Sequence, residues 1–240
     1  TVCALAWVIL EPRRNRALSE QAVADTGMGS VEDKILKNHR KTLGLLRDLK
    51  RVRTVGVISE YPEQGVTEIA RPVGVVGAIT PSTNPVATPT NKVLNAVKGC
   101  NAIVLAPSPK GEGTATRLVT YFQAALQGVG APKELVQKLP APLSREATLE
   151  LMTQVDLVVA TGSQRNIRSA YSSGTPSVGV GKGNVAVIVD ETADWVEAAA
   201  KIVASKTFDH GTSCSSENSA IVVDAVYDDF CKALQDQGAV

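Results

Sequence analysis

Residues 73–85 read VGVVGAITPSTNP: an unbroken apolar run that ends in a polar loop stiffened by two prolines. A strand with one wet face alternates apolar and polar side chains, whereas an unbroken run belongs to a strand covered on both faces. The residues that follow keep the same rhythm. A helix is expected over 88–98, a strand in NAIVLA at 101–106, and a helix over 114–127. A segment around Leu135, a helix over 145–152 and the strand DLVVA at 156–160 come next. Short apolar strands alternating with helices predict an α/β fold, a parallel sheet with helices on both faces. Ligands of such sheets sit beyond the carboxyl ends of the strands.

On the N-terminal side the first fifty residues read as helices. Pro12 opens one that runs to Asp25 and stops at Gly27 and Gly29, where glycine supplies a left-handed cap. A second spans 31–50, with Val31, Ile35, Leu46 and Leu49 on one stripe. Lys34, Lys37, Arg40, Lys41 and Asp48 are expected on a solvated face. Between 52 and 71, VRTVGVIS and GVTEIAR flank the turn YPEQG, a β-hairpin pattern. On the C-terminal side a strand is expected over 185–189, then a helix over 193–208 and a polar loop to Glu217. The strand SAIVVD and a helix from Tyr227 complete the chain.

Composition sets the outer limits. The 240 residues are 44% hydrophobic and 20% charged, which excludes wholesale disorder. With 25 basic against 24 acidic residues the net charge is +1, so no global field gathers nucleic acid or an anionic membrane. The longest apolar run, residues 2–10, falls short of the 18 or so needed to span a bilayer. Four cysteines, at 3, 100, 214 and 231, make no C-x-x-C pair, and with two histidines no metal site is expected. That usage fits a reducing cytoplasm. The chain starts inside an apolar segment without a charged leader, which reads as a fragment beginning within an element.

The motifs with chemical content lie at strand ends. GVGKG at 179–183 lacks the Ser or Thr of a phosphate loop and the third glycine of G-x-G-x-x-G, so neither nucleotide fingerprint applies. Ala160-Thr161-Gly162-Ser163 follows a strand and opens a helix, which suits either a phosphate or a simple cap. In the loop 80–85, Asn84 presents an amide donor, of use to a developing oxyanion at about 3 kcal/mol; an Asx-turn is the structural alternative. Cys214 sits in GTSCSS, a polar loop where a structural cysteine is out of place and a nucleophile is not. Cys3, Cys100 and Cys231 fall in apolar or helical patterns and read as structural. His210 near Cys214 lacks the further partners of a thiol-protease site.

Together VGVVGAITPSTNP, VVATGS, GVGKGNVAVIVDETAD and SKTFDHGTSCSSENSAIVVD resemble the aldehyde dehydrogenase superfamily, and its coenzyme A-acylating branch in particular. The resemblance runs over nearly the whole chain, with four motifs in family order. It implies Cys214 as the nucleophile and Asn84 as the oxyanion-hole amide. It lines the NAD or NADP groove with Thr80, Pro81, Ala106, Pro107, Ser108, Thr161, Gly162, Ser163, Val180 and Gly181. Ala106-Pro107-Ser108-Pro109 stands where hydrolytic members carry Lys-Pro-x-Glu for the ribose, so the acid that repels a 2′-phosphate is missing. Gly179 stands where those members place a water-activating glutamate. Losing a general base typically costs 10² to 10⁴ in rate, so the thioester should wait for the thiol of CoA.

Within the branch, TSCSSENS and the leader RNRAL…DTG…DKILKNHRKT look most like acylating sulfoacetaldehyde dehydrogenases. Ser213 and Ser215 are then candidate sulfonate contacts, with acetaldehyde or another short aldehyde as the alternative substrate. The resemblance further implies a dinucleotide-binding domain from 1–54 and 72–180 whose parallel sheet is Rossmann-type, an oligomerisation hairpin at 55–71, and the start of a second α/β catalytic domain at 181–240. It makes the chain the N-terminal half of a subunit that assembles as a homodimer or homotetramer. The rival reading is a non-catalytic dinucleotide-binding or oligomerisation fragment.

Overall fold

Three helices lead the chain, whose structure, a computed structural model, describes residues 1–239. Helix α1 (Val2–Leu10) buries Leu5, Ala6, Val8 and Ile9. Pro12 occupies the first turn of α2 (Pro12–Thr26), and Gly27, at φ +65°, closes it in the left-handed conformation. Ser30 caps α3 (Val31–Leu49), its hydroxyl accepting the Asp33 N–H at 3.2 Å. Then β1 (Gly56–Tyr61) and β2 (Val66–Ala70) pair antiparallel as an isolated hairpin.

The expected alternation follows as β3 (Val75–Ile79), α4 (Ala87–Lys98), β4 (Ala102–Ala106), α5 (Glu112–Gly128) and β5 (Val136–Lys138). It continues through α6 (Arg145–Gln154), β6 (Leu157–Thr161), α7 (Gln164–Tyr171) and β7 (Ser177–Val180). The five strands form one parallel sheet in the order β5-β4-β3-β6-β7. The chain leaves β3 in one direction and returns at β6 on its other side, so a switch point lies between them. Crevices for ligands open at such points, beyond the carboxyl ends of the strands. A second parallel pair, β8 (Val185–Val189) with β9 (Glu217–Val222), packs with α8 (Trp195–Thr207) and α9 (Tyr227–Asp236).

Each sheet face has its own core. Val76, Ala78, Ile103 and Leu105 meet α1, α4 and α5 through Leu5, Leu94, Leu118 and Phe122. Ile79, Val158 and Ala160 meet Met152 and Ile167 on the opposite face. Truncating a fully buried side chain such as Phe122 to alanine typically costs about 3–5 kcal/mol. Among the described residues no helix is long and apolar enough to cross a membrane.

Three expectations are corrected. The face of α3 read as solvated is partly its buried one: Lys34 and Lys37 are 4% and 5% exposed, while Arg40, Lys41 and Asp48 do face solvent. The stretch 177–180, to which the sequence pattern assigned no element, is the edge strand β7, and Gly179 leaves room for α7 to pack against it. Cys3 and Cys100 are exposed, not core residues; Cys100 has φ +58° in the turn that ends α4.

Candidate active site

Loops at the carboxyl ends of the parallel strands converge on one cavity of about 780 Å³. Backbone hydrogen bonds lock its floor. Thr80 N–H donates to Ala106 O at 3.1 Å, Ser108 N–H to Thr80 O at 3.1 Å, and Gly162 N–H to Val180 O at 3.2 Å. Its walls bring together all ten expected groove residues, Thr80, Pro81, Ala106, Pro107, Ser108, Thr161, Gly162, Ser163, Val180 and Gly181, with Asn84, Ser213 and Cys214. Ser163 Oγ is engaged as the cap of α7, accepting the Asn166 N–H at 3.3 Å, so its hydroxyl serves the helix. The open groove is within the size range of small-molecule sites, and its polar loops and helix start suit a phosphorylated ligand. Ser215 lines a second cavity behind the same loop.

Cys214 is exposed on the loop before β9. That loop is anchored to the N-terminal helices by a buried cluster that sequence reading missed. Asp209, fully buried, accepts from Lys34 Nζ at 3.2 Å, Thr212 Oγ1 at 2.6 Å and Ser30 N–H at 3.0 Å, and also pairs with Lys37 Nζ. Its own N–H donates to Asp33 Oδ2 at 2.9 Å. Asp209 and His210 hold φ +50° and +52°, which residues with a Cβ adopt rarely and which the cluster sustains. Gly29, at φ +75°, stands so close that an added Cβ would lie 1.8 Å from Asp209 Oδ1. Burial pulls the Lys37 pKa below its ordinary value, opposed by the bond to Asp209. Burial alone would raise Asp209; Lys37, Thr212 and Lys34 outweigh it and hold the carboxyl low.

Lys37 donates also to Thr212 Oγ1 at 3.1 Å and to Asn84 Oδ1 at 2.9 Å. Asn84 Nδ2 donates to Thr83 Oγ1 and Thr212 O, each at 3.3 Å. These contacts replace the Asx-turn alternative: the amide joins the 80–85 loop to the Cys214 loop. A helical polar stripe, Lys34, Lys37, Asn38 and Thr42, was the available signal. Two more groups went unforeseen. Lys92 Nζ donates to Ile79 O at 2.7 Å and Val159 O at 2.6 Å across the switch point, and burial lowers its pKa to about 7. Arg145 lines the same groove from the start of α6. At Gly179 an added Cβ would lie 2.8 Å from Ile167 Cγ2 and 3.0 Å from Tyr171 Cε2, so the backbone there has no room for a carboxylate side chain as α7 now packs.

Comparison with known proteins agrees with this architecture. Residues 21–239 match the aldehyde dehydrogenase family. The acylating sulfoacetaldehyde dehydrogenase of Cupriavidus necator is 62% identical over 239 residues, covering 100% of this chain and 48% of that protein. An acetylating aldehyde dehydrogenase from Geobacillus thermoglucosidasius superposes with a TM-score of 0.92 at 40% identity, over 100% of this chain and 53% of the other. A propionaldehyde dehydrogenase from Rhodopseudomonas palustris, with bound CoA and an acylated cysteine, gives 0.86 at 31% identity over 99% and 54%. The chain thus spans about half the length of the curated relatives it matches. By its matched length and its fold, this chain belongs to the aldehyde dehydrogenase family.

Proposed function

We propose that the protein oxidises a short aldehyde, sulfoacetaldehyde first among candidates, to its acyl-CoA with NAD⁺ or NADP⁺. The observation that carries this reading is that Cys214 and Asn84 line one cavity while Asn84 Nδ2 reaches the carbonyl of Thr212, two residues before the cysteine. The Cys214 thiolate adds to the aldehyde carbon, forming a C–S bond and placing negative charge on the former carbonyl oxygen. Asn84 Nδ2, on releasing Thr83 Oγ1 or Thr212 O, and the Cys214 N–H would supply two donors for that oxygen. Thr80, Gly162 and Ser163 would hold a nicotinamide dinucleotide, which would supply the acceptor for the hydride leaving the thiohemiacetal carbon. The carbonyl then re-forms as a Cys214 thioester, which the CoA thiolate attacks, breaking the Cys214 C–S bond and releasing the thiolate. With Gly179 in place of a general base, water is left unactivated and the acyl group passes to the thiol.

Thr80, Ser108, Gly162 and Ser163 would hold the dinucleotide, and Arg145 on the same groove, with no acid at 106–109, supports acceptance of a 2′-phosphate. Residues 1–54 and 72–180 form the dinucleotide-binding unit in this reading, and 181–240 begin the catalytic one. Exposed Ile58, Val66 and Ile69 on the hairpin suit pairing between subunits of a homodimer or homotetramer. Four free thiols suit the cytoplasm. The test is to follow reduction of NAD⁺ or NADP⁺ by the intact protein with sulfoacetaldehyde and CoA. Reduction beyond one equivalent per Cys214 should require CoA, and all reduction should vanish in Cys214→Ala; repeated turnover without CoA, or reduction in Cys214→Ala, overturns the acylating mechanism.

A further inference from the structure

The Cys214 loop has a cavity on each side, and Ser213 and Ser216 line both. The second, of about 770 Å³, is lined by α3, α8 and Ser213, Ser215 and Ser216, while Cys214 lines the first. From α3 it takes Lys37, Arg40, Lys41 and Gly44, spaced i, i+3, i+4 and i+7 on one helical face. The charge of Lys37 is directed inward to Asp209. Arg40 and Lys41 are exposed, and neither enters an ion pair among the described residues. Asp48, a carboxylate on the same wall, is already 3.2 Å from Arg47. Ser213 and Ser215 line the same cavity, and their hydroxyls make no hydrogen bond among the described residues.

Gly44 adds an independent observation. Glycine inside a helix is unfavourable, yet no atom lies within 4 Å of where its Cβ would stand, so packing does not demand it. It lowers the cavity wall one turn beyond Arg40. The result is an open chamber behind the nucleophile's loop, lined by two uncompensated cations and two free hydroxyls.

We propose that Arg40 and Lys41, with Ser215, bind the anionic group at the far end of the aldehyde substrate, a sulfonate above all. This rests on the acylating reading and names its substrate class: short aldehydes that carry a permanent negative charge. A sulfonate presents three oxygens and stays ionised at every working pH. A guanidinium forks onto two of them, while an ammonium and a hydroxyl serve the third. A two-carbon aldehyde offers little apolar surface, so charge supplies most of its selectivity over acetaldehyde.

The experiment compares Arg40→Gln and Lys41→Gln with the unaltered intact protein, measuring KM and kcat for sulfoacetaldehyde, acetaldehyde and CoA. Expected is a rise of about 10- to 100-fold in KM for sulfoacetaldehyde in Arg40→Gln, with acetaldehyde and CoA unchanged and partial recovery in Arg40→Lys. Equal loss with both aldehydes, a rise confined to the KM of CoA, or no change overturns the proposal. A turnover-free readout separates it from the catalytic reading: ethanesulfonate titrated by NMR into Cys214→Ala protein, with and without Arg40→Gln. Binding that requires Arg40 sustains the anion site even if no acyl-CoA forms, and binding that is absent or indifferent to Arg40 overturns it.

Discussion

Lys37 Nζ lies 2.9 Å from Asn84 Oδ1, and this contact decides which end of the Asn84 amide faces the cysteine loop. An ammonium has donors and no acceptor, so the atom opposite it is the amide oxygen and the NH₂ turns toward Thr212 O, 3.3 Å away. A side chain on α3 thereby sets the polarity of a donor on the loop after β3.

Replacing Lys37 with methionine releases that constraint and leaves Asp209 with Lys34 as its remaining cation. Breaking a buried ion cluster on one side typically costs about 3–5 kcal/mol, so a clear fall in Tm is expected. In the fraction that stays folded, kcat should drop about 10-fold or more while the KM of the dinucleotide holds, because the oxyanion donor is misdirected. A folded Lys37→Met protein with unaltered kcat would remove Lys37 from any part in aiming Asn84.

Asp209 predicts an acid limb. Its carboxyl sits below the ordinary 3.8 because its cations and Thr212 outweigh the effect of burial. The unfolded chain therefore takes up the proton first as pH falls. The cluster's contribution is whole above about pH 4 and is lost as pH drops through the folded value. Urea unfolding between pH 7 and pH 3 should show this loss in the unaltered protein. Asp209→Asn should be less stable at pH 7 and flatter across the acid range; parallel curves would count against the assignment.

Lys92 predicts the opposite limb. Burial lowers its pKa to about 7 from 10.5, so between those values the unfolded chain holds a proton that the folded one has released. Stability relative to Lys92→Met should rise with pH across that window, by at most about 1.4 kcal/mol per pH unit. Paired denaturation curves at pH 6, 7.5 and 9 read the difference, and a gap independent of pH would refute the shift.

Gly179→Glu restores a carboxylate at the position where hydrolytic members are expected to carry one, yet it should not create a hydrolase. The new Cβ would meet Ile167 and Tyr171, an overpacking that typically costs about 1–3 kcal/mol. Tm should fall and release of free acid in the absence of CoA should stay at background. Rapid CoA-independent acid formation would show that α7 yields and that the missing base alone blocks water.

The sheet was legible in the sequence because its signals are local. Unbroken apolar runs such as VGVVGAIT can be read one strand at a time, and Pro81 and Pro85 mark the loop that follows. The meeting of Thr80, Asn84, Ala106 and Thr161 was legible for a related reason, since loops at the carboxyl ends of parallel strands share one edge; Cys214, on the loop before β9, and the roles of the groove residues were legible only through the family resemblance. The inward turn of Lys34 and Lys37 was not legible. Periodicity assigns a lysine to water by default, and only a carboxylate 172 positions away, on a backbone held in the left-handed region, makes burying it favourable. The sequence by itself determined the strands, their loops and the two residues, Cys214 and Asn84, proposed for carbonyl chemistry. The tertiary structure decided which way Asn84 points, why Gly179 has no side chain to spare, and which cations enter no ion pair. Each of these depends on contacts between segments far apart in the chain, where the energy of burying a charge or a Cβ is set by the partner and not by the neighbours in sequence.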